Sequence, residues 1–151
     1  MREVLFNVRG VPVAKGSKNA FYNKRIGRAM MVETNAAKQK PWVSAIACAA
    51  AEAMQRNPPS RGMVMVKRMT FTFPRPKSHY GTGKNSNVLK PGAPIYHLSK
   101  PDADKLQRCV FDAIKGIVYE DDCQVCHLDG VSKVYANASG HAGLEMELSI
   151  E

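Results

Sequence analysis

A chain of 151 residues that is 44% apolar can build one hydrophobic core but hardly two domains, so a single domain over residues 1–151 is expected. No apolar run approaches the roughly 20 residues of a membrane span, and the charged start MREVLFNVRG lacks the apolar core of a signal peptide, so no membrane partner and a cytoplasmic location are expected. The net charge of +9 is segregated: residues 1–95 hold 17 Lys/Arg against three acids, whereas residues 96–151 hold five Lys/Arg against ten acids. A basic body attracts polyanions, and acids gathered in one segment can bind a cation.

In chain order, Val4, Phe6 and Val8 alternate as a first β-strand. The following segment, GVPVAKGSKNAFYNKRIGRAMMVETN, predicts a turn-rich loop in which Lys15, Lys18, Lys24 and Arg25 interleave with Phe21 and Tyr22. Cations mixed with aromatics suit phosphate contacts together with stacking on bases. Residues 36–56 predict a helix capped by Asn35, with Trp42, Ile46, Ala49/Ala50 and Ala53 as its inner stripe and Cys48 as inert packing. Residues 63–73 predict a strand with Met63, Met65, Met69, Phe71 and Phe73 in step. The long loop PRPKSHYGTGKNSNVLKPGAP carries Arg75 and Lys77 and suggests nucleic-acid contact, or else a linker without structure.

Residues 102–116, DADKLQRCVFDAIKG, form the clearest helical pattern, with Leu106, Cys109/Val110 and Ala113 inward, Ile117 beyond, and Gly116 as a stop. Strands follow at 124–135 and 143–150. The order β, loop, α, β, loop, α, β, β is that of an α+β layer architecture.

Chemistry concentrates in the acids. Asp102 and Asp104 open the second helix, and Asp121 and Asp122 follow its end. Capping and a solvated turn account for them without any function. Two residues two apart within a regular helix point about 200° apart and cannot share an ion, so a joint role needs Asp102 just outside the helix. Pro101 favours that by biasing its predecessor toward extended backbone. Asp122 can join them only if the chain doubles back or a second subunit contributes. Carboxylates without histidines select Mg²⁺ or Mn²⁺, and such an ion within a basic protein points to phosphoryl chemistry on nucleic acid.

The stretch YEDDCQVCH also spells Cys-x-x-Cys-His, the wording of a haem attachment site and half of a zinc pattern. Haem attachment belongs to an oxidising compartment, and no partner pair of zinc ligands is recognisable among Cys48, Cys109, His97 and His141. On an extended chain Cys123 and Cys126 face opposite sides, so no haem is expected.

The segment KPDADKLQRCVFDAIKGIVYEDDCQV resembles the signature of the RusA family of Holliday junction resolvases, approximately K-P-D-x-D-N-L-x-K, a D-A-L-x-G helix, and D-D-x-Q-V. GVPVAKGS, FPRPKSH and YHLSKPD extend the resemblance over most of the chain. It implies a small mixed β-sheet packed with two main helices, and a homodimer, often encoded by phages or prophages. The implied activity is Mg²⁺-dependent endonuclease cleavage of four-way DNA junctions, with Mn²⁺ as a substitute, in recombination and repair. Carried over by position, Asp102, Asp104 and Asp122 are the metal-binding catalytic carboxylates, with Asp121 a further candidate ligand or a support for the turn. Two positions depart from the pattern: Lys105 stands for its Asn and Arg108 for its Lys. Arg108 keeps the positive charge beside a scissile phosphate but cannot readily lose a proton. A RusA-like protein that binds branched DNA and cuts poorly is therefore the alternative. Lys105 and Lys133 join Lys15, Lys18, Lys24, Arg25, Arg75 and Lys77 as candidate DNA contacts.

Overall fold

A computed structural model describes residues 1–151 apart from Ser17, Thr34, Ser139 and the side chain of Glu33. The strands are β1 (Arg2–Arg9), β2 (Lys18–Asn23), β3 (Arg28–Glu33), β4 (Val64–Phe73), β5 (Val125–Leu128), β6 (Val131–Tyr135) and β7 (Gly143–Ile150). The α-helices are α1 (Ala36–Met54) and α2 (Ala103–Ile114). Antiparallel β1, β7 and β4 run in that order, and β5 and β6 both pair in parallel with the free edge of β4, making a mixed five-stranded sheet. The chain is thus α+β, with one sheet and two helices sharing one core.

Alternation carries β1 and β7 into that core. Val4, Phe6 and Val8 on β1 and Leu144, Met146, Leu148 and Ile150 on β7 are buried, and the intervening residues of β1 face outward. Strand β4 departs from the expected phase. A bulge at Lys67 shifts its register, so Val64 and Val66 are buried before the bulge and Met69, Phe71 and Phe73 after it. Met63 and Met65 are accordingly only half-buried. The same bulge divides the expected strand at 124–135 into β5 and β6. Between them Gly130 turns at φ +56, where an added Cβ would stand 2.8 Å from the Lys67 carbonyl.

Both helices contribute to the core. α1 buries Trp42, Ile46, Ala50 and Met54, while Cys48 is exposed instead of packed. Asn35 occupies the N-cap position of α1 but in left-handed backbone and without a side-chain capping bond, contrary to its expected role. α2 buries Leu106, Cys109, Val110, Ala113 and Ile114, and Gly116 at φ +77 follows its end.

Two expected loops are structured. The segment after β1 contains the β2–β3 hairpin, and residues 77–90 fold into two 3-10 turns joined by a Tyr80–Leu89 bridge. No helix among the described residues is long and apolar enough to cross a membrane.

Candidate active site

The site is built around the two ends of α2. At its start, the cis Lys100–Pro101 peptide leads into Asp102, whose backbone is extended at φ −71 and ψ 142. Asp102 therefore stands outside the regular helix, and its side chain makes no capping hydrogen bond. This removes the 200° conflict that two aspartates within the helix would face. The Asp102 side chain is 54% exposed, with the Lys105 ammonium 3.7 Å from Oδ2. Asp104 lies in the first turn, exposed, with no hydrogen bond or ion pair among the described residues.

The loop after β1 forms a wall beside these acids. The Lys15 N–H donates to the Lys105 carbonyl at 3.1 Å, and the Lys15 ammonium pairs with Asp112, about two turns further along the same face of α2. A recess of about 400 Å³ is lined by Lys15, Gly16, Lys18, Lys105 and Arg108. A second of about 200 Å³ shares Lys15, Gly16 and Lys105 and reaches Lys100, Pro101 and Asp102. Together they make one cationic cleft ending at a carboxylate. Asp112, not singled out from the sequence, belongs to this face through its pair with Lys15; its spacing from Arg108 (i, i+4) was the available signal.

The far end of α2 holds the second acidic pair, and its two members differ. Asp121 is a turn residue. Its carboxylate accepts from the Cys123 N–H, its own N–H donates to Gln124 Oε1, and Lys115 sits 2.8 Å away. The Lys115 ammonium, then the Cys123 N–H, hold the Asp121 carboxyl down at about 2. The same contact raises the Lys115 ammonium. Gln124 completes the turn by donating from Nε2 to the carbonyls of Ser60 at 2.9 Å and Gly62 at 2.8 Å. Asp122 is engaged on one side only, by a side-chain hydrogen bond with the Tyr119 phenol. Its Oδ1 is buried without a hydrogen-bond partner, and it lies against Tyr119, whose hydroxyl donates to the Phe111 carbonyl at 3.5 Å. Burial first, and the Asp122 carboxylate next, push the Tyr119 phenol far above its ordinary range.

The structure does not bring the three candidate carboxylates together within one chain. Asp104 and the Phe111 carbonyl beneath Tyr119 are seven helical residues apart, roughly 10 Å along the axis. No group of three or more His, Cys, Asp or Glu able to hold a metal forms among the described residues. That also bears on Cys-x-x-Cys-His: Cys123 lies in the 3-10 turn and only Cys126 in β5, and both thiols are free.

The remaining candidate DNA contacts divide by environment. Lys24 and Arg25 sit at the tip of the β2–β3 hairpin, and Lys77 lines an open recess of about 1160 Å³ with Tyr80 and Lys90. Arg75 and Lys133, also expected to contact DNA, have partners within the chain. The Arg75 guanidinium donates to the carbonyls of Ala136 at 2.8 Å and Pro94 at 2.6 Å and lies over the Tyr135 ring. The Lys133 ammonium donates to the Ser99 carbonyl at 2.7 Å. Both therefore pin the segment that delivers Asp102.

An exposed acidic pair thus stands at a helix start, walled by cations. The chain belongs to the family of the endodeoxyribonuclease RusA, whose family model matches residues 10–147. No curated protein matches it.

Proposed function

We propose that this chain is a divalent-metal-dependent endodeoxyribonuclease that resolves four-way DNA junctions by phosphodiester hydrolysis during recombination and repair. Family membership supports a nuclease acting on branched DNA. The carrying observation is the cleft itself, in which Asp102 stands free of capping duty beside Lys15, Lys105 and, further along, Arg108.

The donor set fits Mg²⁺ or Mn²⁺. Asp102, Asp104 and Asp122 offer hard oxygens, and the unpartnered Oδ1 of Asp122 is a polar atom that lacks only a ligand. Asp121, engaged by Lys115 and Cys123, is left to hold the turn. When bound, such an ion supplies Lewis-acid polarisation of the phosphoryl group and acidifies a water. Lys105 and Arg108 hold the phosphate in the cleft and offset the negative charge that develops on it. Because Asp122 lies at the other end of α2, the two groups of ligands are completed across a homodimer, each chain supplying one end. A two-fold dimer also presents two equivalent sites to the opposed strands of a symmetric junction.

The test is a synthetic four-way junction incubated with the protein, with and without Mg²⁺, beside Asp104→Asn. Symmetric nicks that require metal and Asp104 are expected, with the variant's cleavage rate lowered at least a hundredfold, on the order of the loss of a principal electrostatic group. Junction binding without nicks in any divalent metal overturns the catalytic assignment and leaves a binding protein. Mixing Asp104→Asn with Asp122→Asn tests the shared site, since a mixed dimer regains one intact set of ligands. No recovery in the mixture places all three carboxylates in one chain.

A further inference from the structure

The β2–β3 hairpin stands apart from the main sheet, pairing with none of its strands. None of its described residues is buried. Successive strand residues face opposite ways, so Phe21, opposite Met30, and Tyr22, opposite Ala29, put one aromatic on each face. Tyr22 is 64% exposed and Phe21 46%, with Met31 and Val32 also open. A lone two-stranded hairpin with two apolar faces is marginal in water and calls for a cover on both. Its tip is held by the Gly27 N–H donating to the Asn23 carbonyl at 2.9 Å and by the Arg25 N–H donating to Asn23 Oδ1 at 2.9 Å. That turn carries Lys24 and Arg25 with Arg28 beside it, and no acid from 18 to 32.

We infer that this hairpin is a wedge that enters the open centre of branched DNA and stacks unpaired bases on Tyr22 and Phe21. The inference rests on the proposed action on DNA junctions. Charge selects the occupant. The phosphates around a branch point complement Lys24, Arg25 and Arg28, with no acid among residues 18–32 to repel them. Geometry agrees, because a protein partner covers one face, while bases on either side of a branch point offer a flat apolar surface to each. Lys18, at the base of the hairpin, lines the cationic cleft, so the wedge and the cleft form one continuous surface.

The experiment uses the full-length protein with Ca²⁺ in place of Mg²⁺, and a four-way junction carrying 2-aminopurine beside the crossover. Wild type is expected to change the fluorescence as the base exchanges its neighbours in the stack for Tyr22 or Phe21. Phe21→Ala and Tyr22→Ala are each expected to weaken junction binding roughly 5- to 100-fold and to abolish the fluorescence change. Binding to linear duplex should be unchanged, and Tyr22→Phe should retain the signal. The combined Lys24→Gln and Arg25→Gln variant should weaken junction and duplex alike. Unchanged junction binding and fluorescence in the aromatic variants overturns the wedge while leaving the nuclease reading intact. A wild type that neither binds nor cuts the junction overturns both. Sedimentation showing that the aromatic variants lose a dimer without losing base unstacking assigns the hairpin to a contact between copies and also overturns it.

Discussion

Residues that look equivalent in the sequence have separate work in the folded chain. Asp121 and Asp122 are neighbours, yet Asp121 organises a turn with Lys115, Cys123 and Gln124, while Asp122 keeps an oxygen without a partner. Gln124 is the hub of that turn, with three hydrogen bonds across residues 60–62 and 121. Its replacement by Ala removes the partner of the Gly62 carbonyl and of the Asp121 N–H, and leaves the Ser60 carbonyl with the Glu120 N–H alone. Gln124→Ala is expected to destabilise the fold by about 1–3 kcal/mol, measured by urea unfolding. A loss below a few tenths of a kcal/mol would show that water serves these groups equally well.

Among elements, the edge strand β6 does more than complete the sheet. The His97 N–H donates to the Lys133 carbonyl and the Tyr135 N–H to the Ile95 carbonyl, so β6 fixes the path of residues 95–99 toward Asp102. His97 is stacked on Phe73 at 4.1 Å, with Tyr135 beside it and its Nδ1 buried without a partner. Burial, and then the Lys133 charge, lower its pKa below the ordinary value. A histidine whose pKa falls on folding lends stability fully above its unfolded value, about 6.5, and loses it as pH falls through the lower folded one. The stability difference between wild type and His97→Phe should therefore change between pH 7.5 and 5, with wild type losing more. Parallel melting temperatures across that range would exclude the coupling.

The bulge in β4 is a second decision at this scale. It switches which side chains of β4 enter the core and sets Gly130 against the Lys67 carbonyl. Gly130→Ala meets both a left-handed φ and a backbone atom that cannot swing aside. A loss of about 1–3 kcal/mol is expected in thermal or urea unfolding. Alternation along residues 63–73 and its phase at Met69, Phe71 and Phe73 were visible in the sequence, but the change of phase that leaves Met63 and Met65 half-buried was not. A bulge is a pairing property, set by where β5 and β6 meet β4, and one strand's residues do not reveal it.

For the whole molecule, the basic excess becomes a surface. Lys15 and Lys18 from the segment after β1 and Lys105 and Arg108 from α2, far apart in sequence, meet in one cleft. If that cleft follows a phosphate backbone, each cation removed releases one fewer counterion. Lys18→Gln and Arg108→Gln should each lower the magnitude of the slope of log affinity against log salt by about one, for junction and duplex DNA alike. Lys133→Gln should change the slope less, because Lys133 does not line the cleft and its ammonium is held at the Ser99 carbonyl. Equal slopes for all three variants would dissociate the cleft from DNA.

By itself, the sequence determined what local periodicity and spacing can carry. The phases of β1 and β7, the buried stripe of α2, the stop at Gly116, the α+β order and the family signature were all legible in residues close together in the chain. Asp102 outside the helix agrees with the sequence too, because Pro101 biases Lys100 toward extended backbone just before it. Tertiary structure decided the rest. It left Asp102, Asp104 and Asp122 without a common cluster among the described residues, gave Asp121 turn contacts of its own, and gave Arg75 and Lys133 carbonyl partners within the chain. The physical reason is common to these cases: a charge's role depends on which carbonyls, rings and counter-charges lie within a few ångströms, and those arrive from distant segments only when the sheet and helices pack.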